Sequence, residues 1–200
     1  DCCAYLIEQK MKEVSIENEI FQEINYTENP LSKGKYNNCI FINCNFTKSN
    51  ISKITFIECK FKNCDFSLIT SKNTAFRDVK FINCKLLGFN FNDCTESFLA
   101  FQFENCHLNL ASFFNLNIKG TNFNNCDLRE ADFSETDLTK SSFDDCDLNQ
   151  AIFDNSILET VDFRSAFNYS IDPDRNRIRG GKFSISGVVG LLRKYKIEVE

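Results

Sequence analysis

Residues 126–150 read CDLRE, ADFSE, TDLTK, SSFDD, CDLNQ. Each quintet has a bulky apolar residue at its centre: Leu128, Phe133, Leu138, Phe143 and Leu148. Two places earlier stands a small one: Cys126, Ala131, Thr136, Ser141 and Cys146. Polar residues fill the positions between. A strict period of five fits neither the 3.6-residue turn of a helix nor the alternation of a flat strand. The chain must turn every five residues with both apolar positions inward. Four such sides close a square coil of twenty residues, and coils stack into a solenoid.

The period runs outward from this stretch in both directions. Upstream the central position holds Phe41, Phe46, Ile51, Phe56, Phe61, Phe66, Ser71, Phe76, Phe81, Leu86 and Phe91. It resumes at Phe98 and Phe103 and continues to Phe163, so that 16 of the 22 Phe are central. Residues twenty apart form columns. One is Cys44, Cys64 and Cys84, continued after a two-residue insertion by Cys106, Cys126 and Cys146. A second is the Phe41, Phe61, Phe81 column. An outward column reads Asn43, Asn63, Asn83, Asn105, Asn125 and Asp145. Stacked Asn side chains can hydrogen-bond from coil to coil. At about 4.8 Å per coil the rod is roughly 30 Å long.

Eleven cysteines suggest metal or disulfide chemistry, and their spacing argues against both. There is no CxxC hook for zinc, and the count is odd. They read as buried, reduced wall material, which implies a cytoplasmic setting. The acidic balance, net charge -5, disfavours an ordinary nucleic-acid binder. No apolar run reaches the ~18 residues of a membrane span.

Residues 1–36 are expected to be an N-terminal extension and cap, of which 1–10 carry no repeat. Residues 1–10 read as a possible non-native extension before Met11, the only Met. KEVSIENEIFQEINY is expected to hold strand. The coil spans 37–168, with a small loop at 92–100. After Phe163 the period fails, and 169–200 is expected to be a capping loop followed by a short α-helix. Ser186 is its expected N-cap, with Arg193 and Lys194 favouring its C-terminal end. Val188, Val189, Leu191, Leu192, Tyr195 and Ile197 are apolar beyond what capping needs, and suggest a two-fold dimer.

CDLRE, ADFSE, TDLTK and CDLNQ are variants of the repeat written A(D/N)LXX, with Cys or Thr for Ala or Phe for Leu. The chain thus resembles the pentapeptide-repeat family over about two thirds of its length. The resemblance implies an all-β fold, a right-handed quadrilateral β-helix. SIDPDRNRI (170–178) and GVVGLL (187–192) are further similar to the Qnr-like group, which includes quinolone-resistance and microcin-immunity types. That resemblance implies a dimeric rod that mimics duplex DNA, binds DNA gyrase or topoisomerase IV, and protects it from quinolones or peptide toxins.

Charge placement fits this reading, and it equally fits a solvated polar face that keeps a β-rod soluble. Residues 1–100 sum to zero and 101–170 to -8. Glu104, Asp127, Glu130, Asp132, Glu135, Asp137, Asp144, Asp145, Asp147 and Asp154 are the expected partner-binding acidic face. The loop Cys94, Thr95, Glu96, Ser97 and Phe98 is a second candidate contact. No catalytic constellation is legible. Cys106 points inward and His107 outward, so they form no dyad. No cofactor, metal or direct nucleic-acid contact is expected. The alternative is a structural or protein-interaction scaffold with no topoisomerase role. Acids scattered over all four faces, without a contiguous stripe, would favour that alternative. An enzyme using Cys94 and Glu96 is a distant third.

Overall fold

Phe41, Phe61 and Phe81 stack with ring centroids 4.8 and 5.2 Å apart and nearly parallel planes. Rings twenty residues apart therefore sit one coil apart. The same column runs from Phe21 through Phe103, Phe123, Phe143 and Phe163 to Phe183, at spacings of 4.7 to 5.4 Å. The computed structural model describes residues 14–198; the expectations for residues 1–10 and Met11 lie outside them.

The fold is an all-β, four-sided solenoid of parallel strands. Side one carries β1 (Val14–Glu17), β3 (Gly34–Asn37), β5 (Thr55–Ile57) and β7 (Ala75–Arg77). Side two carries β2 (Ile20–Gln22), β4 (Ile40–Ile42), β6 (Lys60–Lys62), β8 (Val79–Ile82), β9 (Phe101–Glu104), β10 (Asn122–Asn124) and β11 (Ser142–Asp144). Every pairing is parallel, and the register is twenty except across the insertion, where Val79 pairs Phe101. Side three, centred on Phe46, Phe66, Leu86, Leu108, Leu128 and Leu148, is joined by single bridges such as His107 to Asp127. Side four, centred on Ile51, Ser71, Phe91, Phe113, Phe133 and Phe153, is joined likewise. No helix among the described residues is long and apolar enough to cross a membrane.

Three positions of the quintet have distinct physical duties. The small inward residue hydrogen-bonds to carbonyls of its own coil and the one before. The Cys64 thiol donates to Phe41 O at 3.5 Å and Lys62 O at 3.4 Å. Thr136, two places before Leu138, does the same with its hydroxyl, to Phe113 O at 2.7 Å. The residue before the centre is often Asp or Asn, whose Oδ1 accepts the N–H two residues on. Asp132 accepts from Ser134 N at 2.9 Å, and Asn45 from Thr47 N at 2.9 Å. This Asx turn bends the chain. The last residue of the quintet then takes positive φ, as in Asn63 (53°) and Asn105 (54°). Asn tolerates that region better than most residues. All nine described cysteines are free and buried.

Four expectations need correction. Phe98 is not central: it is 79% exposed, and Leu99 and Phe101 turn inward instead. The C-terminal element is not an α-helix but two 3-10 turns, Gly187–Leu191 and Arg193–Tyr195. Its glycines press on Tyr169, and a Cβ on Gly190 would lie 2.6 Å from that ring. Two glycines in five residues also weaken helix propensity. Ser186 does not cap it; the Gly187 N–H donates to Ser184 Oγ at 3.0 Å. Lys194 is drawn away from the turn's end to Asp172, at 2.6 Å, and Asp174.

The coil also outlasts Phe163. Asp147 bridges Phe167, Ile157 bridges Arg177 and Asp162 bridges Lys182. Tyr169, Ile171 and Asn176 fill this irregular coil from within. Asn176 accepts from Ser156 N and donates to Phe153 O, both at 2.9 Å. At the other end β1 and β2 are strands as expected, and they pair as a further coil below β3 and β4.

Candidate functional site

The ten expected carboxylates occupy all four sides. Glu104, Asp144 and Asp145 close side two, and Asp127, Glu130 and Asp147 lie on side three. Asp132, Glu135 and Asp154 lie on side four, and Asp137 on side one. They form a belt around successive coils rather than one stripe along the rod.

The belt's members are not equivalent. Asp127, Asp132, Asp137 and Asp147 are Asx-turn residues whose Oδ1 accepts a backbone N–H at 2.9 to 3.3 Å. Asn performs the same turn at Asn45 and Asn50, so the turn alone does not explain the charge. Several acids are also paired. Asp127 meets Arg129 at 2.7 Å, Asp137 meets Lys119 at 3.0 Å, Asp154 meets Arg175 at 2.6 Å and Glu104 meets Lys80 at 2.7 Å. The Arg129 guanidinium holds the Asp127 carboxyl below the usual carboxylate range. At Asp137 burial acts upward, but bonds from Thr139 and Lys119 outweigh it and the net shift is down. Exposed pairs of this kind contribute little to stability.

Three of the ten converge. Asp127, Asp145 and Asp147 line a cleft of about 480 Å³ on side three, with His107, Arg129 and Phe167. A second cleft of about 350 Å³ abuts it, lined by Ser67, Lys85, Leu87 and Asn109, and shares His107, Asp127 and Arg129. Sequence reasoning set His107 aside with the rejected dyad. Cys106 is buried and His107 exposed, so the two do point apart. It also passed over Leu68, Leu87 and Leu110, outward residues that are 73%, 49% and 55% exposed. The available signal was leucine at positions where the repeat asks for polar residues.

The loop residues separate. Glu96, Ser97 and Phe98 are exposed, Thr95 is half-buried, and Cys94 turns into the core beside Ser71. Burial pushes the Cys94 thiol up to about 12, which suits a wall residue and not a nucleophile. The loop covers the edge of β7, with Thr95 N donating to Thr74 O at 2.8 Å. The Arg77 guanidinium sits 5.4 Å from the Phe98 ring centre. At the C-terminal end Val188, Val189, Tyr195 and Ile197 are exposed, while Leu191 and Leu192 are half-buried.

The family described as pentapeptide repeat region matches residues 34–113 and 96–167. No curated protein sequence matches the chain. Among solved structures, the plasmid-mediated fluoroquinolone resistance protein QnrB1 is 19% identical, with a TM-score of 0.46, over 94% of this chain and 98% of that one. HetL, from the cyanobacterium Nostoc and involved in heterocyst differentiation regulation, is 11% identical, with a TM-score of 0.50, over 85% of each chain. At these identities the likeness concerns the fold alone.

Proposed function

The chain belongs to the pentapeptide-repeat family, and from that premise we propose that it is a non-catalytic binding protein whose acidic coils engage the DNA-binding surface of a type II topoisomerase, DNA gyrase or topoisomerase IV. One observation carries this reading. Every quintet from 126 to 165 bears at least one carboxylate outside the core, over two successive turns of the rod. Negative charge therefore faces outward on every side, as it does around a duplex. A cationic DNA saddle complements such a surface in sign and in shape. The motifs at 170–178 and 187–192 point to the same partner. By occupying the saddle the rod would protect the enzyme from quinolones or peptide toxins, with the 94–98 loop as a secondary contact.

The exposed Val188, Val189, Tyr195 and Ile197 support a dimer through the C-terminal ends. Unpaired buried thiols suit a reducing compartment, the cytoplasm.

A second reading, an interaction scaffold with no topoisomerase role, is favoured by one observation. The acids form no contiguous stripe, and four of the ten are ion-paired within the rod. The belt keeps the first reading in front, because a duplex is charged all round as well. Gyrase supercoiling assays, with and without ciprofloxacin, separate the two. Inhibition or drug protection at micromolar protein is expected; neither effect at that concentration would overturn the topoisomerase reading.

A further inference from the structure

We propose that side three is a docking groove for an extended peptide segment carrying aliphatic side chains at one end and arginine or lysine at the other. The inference does not require the partner to be a topoisomerase.

The apolar end is a notch. Leu68 and Leu110 belong to one outward column, and Gly88 stands between them. A Cβ at Gly88 would meet nothing within 4 Å, so the space between the two leucines is open. Leu87 flanks it and also lines the adjoining cleft. Leu68 and Leu110 are exposed in a column that holds lysine or glutamate at Lys48 and Glu130, and exposed Leu87 lies beside them on the intervening coil.

The other end is anionic. Asp145 and Asp147 line the second cleft, which joins the first through His107 and the Asp127–Arg129 ion pair. Charge orients the occupant. Asp145 and Asp147 accept a basic side chain at the far end, whereas Lys85, 3.7 Å from Asp65, and the Asp127–Arg129 pair leave little net charge at the apolar end. The Asn ladder adds to this field. Asn125 donates to Asn105 and Asn105 to Asn83, so the amide dipoles align and the last carbonyl faces the coil of Asp145. From the Ser67 coil to the Phe167 coil is about 24 Å at the inter-strand spacing, the span of about seven extended residues.

The test is fluorescence anisotropy at low salt with a labelled nine-residue peptide. It has Leu-Val-Leu at one end and Arg-Ser-Arg-Lys at the other, and is compared with its reverse sequence and a scramble of equal composition. In one chain direction the block peptide should bind at least about tenfold tighter than the scramble. Gly88→Glu fills the notch with a residue the same column already holds at positive φ, Glu130. It should weaken binding about tenfold in a protein that stays folded with a modestly lowered melting temperature, since Gly88 has φ of 64°. Leu68→Ser should weaken binding likewise with the melting temperature unchanged. Asp145→Asn with Asp147→Asn should weaken binding and flatten its salt dependence. Equal affinity for block and scramble, or wild-type binding by a folded Gly88→Glu protein, would overturn the proposal. So would a dimer in sedimentation velocity that Gly88→Glu abolishes, since the groove would then belong to a second copy.

Discussion

Asn125 donates its side-chain amide to Asn105 Oδ1 at 2.8 Å, twenty residues earlier in the chain and one coil below. Asn105 donates in turn to Asn83 at 3.0 Å, Asn83 to Asn63 at 3.1 Å and Asn63 to Asn43 at 2.9 Å. Each of these residues has φ between 49° and 54°. One residue type therefore performs two tasks at this corner. It accepts the left-handed backbone the turn requires, and it ties each coil to the next.

Variants of Asn105 separate those tasks. Asn105→Gly keeps the backbone conformation and loses two side-chain hydrogen bonds, at about 1 kcal/mol each. Asn105→Ala loses the same bonds and adds about 1–2 kcal/mol of left-handed backbone strain. Urea unfolding should rank wild type, glycine, alanine in falling stability. Equal stability of the two variants would deny the backbone's part.

Asp132 bears on whether belt charge is structural. Its Oδ1 accepts the Ser134 N–H, a role Asn fills elsewhere in the rod. Asp132→Asn should leave the melting temperature nearly unchanged. Asp132→Ala should cost about 0.5–1.5 kcal/mol. Thermal melts of the two variants check this directly.

Phe133 lies between Phe113 at 4.9 Å and Phe153 at 5.1 Å, and is fully buried. Phe133→Ala should cost about 3–5 kcal/mol. Phe133→Asp should unfold the coil, since it places a charge in a phenyl column. Phe98→Ser should be close to neutral, because that ring is in solvent. A large loss at Phe98 would reverse its outward placement.

The buried thiols give a pH dependence with a definite sign. Burial pushes Cys59 and Cys94 up to about 12, against roughly 8.5 for a thiol in an unfolded chain. Between those values the folded state holds protons that the unfolded state has lost. Stability is therefore fully present below about pH 8.5 and falls as pH rises toward 12. The slope is roughly 1 kcal/mol per pH unit for each thiol. Melting temperatures should drop steeply above pH 9, and Cys59→Ala with Cys94→Ala should reduce the slope. A flat profile from pH 8 to 11 would contradict this account.

The Phe133 column was legible because a period of five leaves one geometry that buries every centre. Phe98 was misread because it lies five before Phe103, although the insertion had shifted the phase and Leu99 turned in. The last coil was hidden by Asn168 at a central position; Tyr169 and Asn176 carry it, and neither resembles the repeat. A short helix was inferred from GVVGLL without Tyr169, whose ring occupies the space that larger residues would need. The acids lie outside the core, Glu130, Glu135 and Asp145 exposed and the other seven half-buried. Three of their four pairings were not legible, because partners such as Lys80 and Glu104 sit on different coils. The side-three groove needed three dimensions, since Leu68, Gly88 and Leu110 meet only when coils stack.

The central claim is that the belt stands in for duplex DNA. Displacement of a labelled duplex from DNA gyrase tests it most directly. The Asx-turn residues allow a charge-removing control that keeps the turns: Asp127→Asn, Asp132→Asn, Asp137→Asn and Asp147→Asn combined. Wild-type protein should displace the duplex at micromolar concentration, and the fourfold variant should fail to do so while melting near the wild-type temperature. No displacement by the wild type, or equal displacement by the folded variant, would contradict the claim.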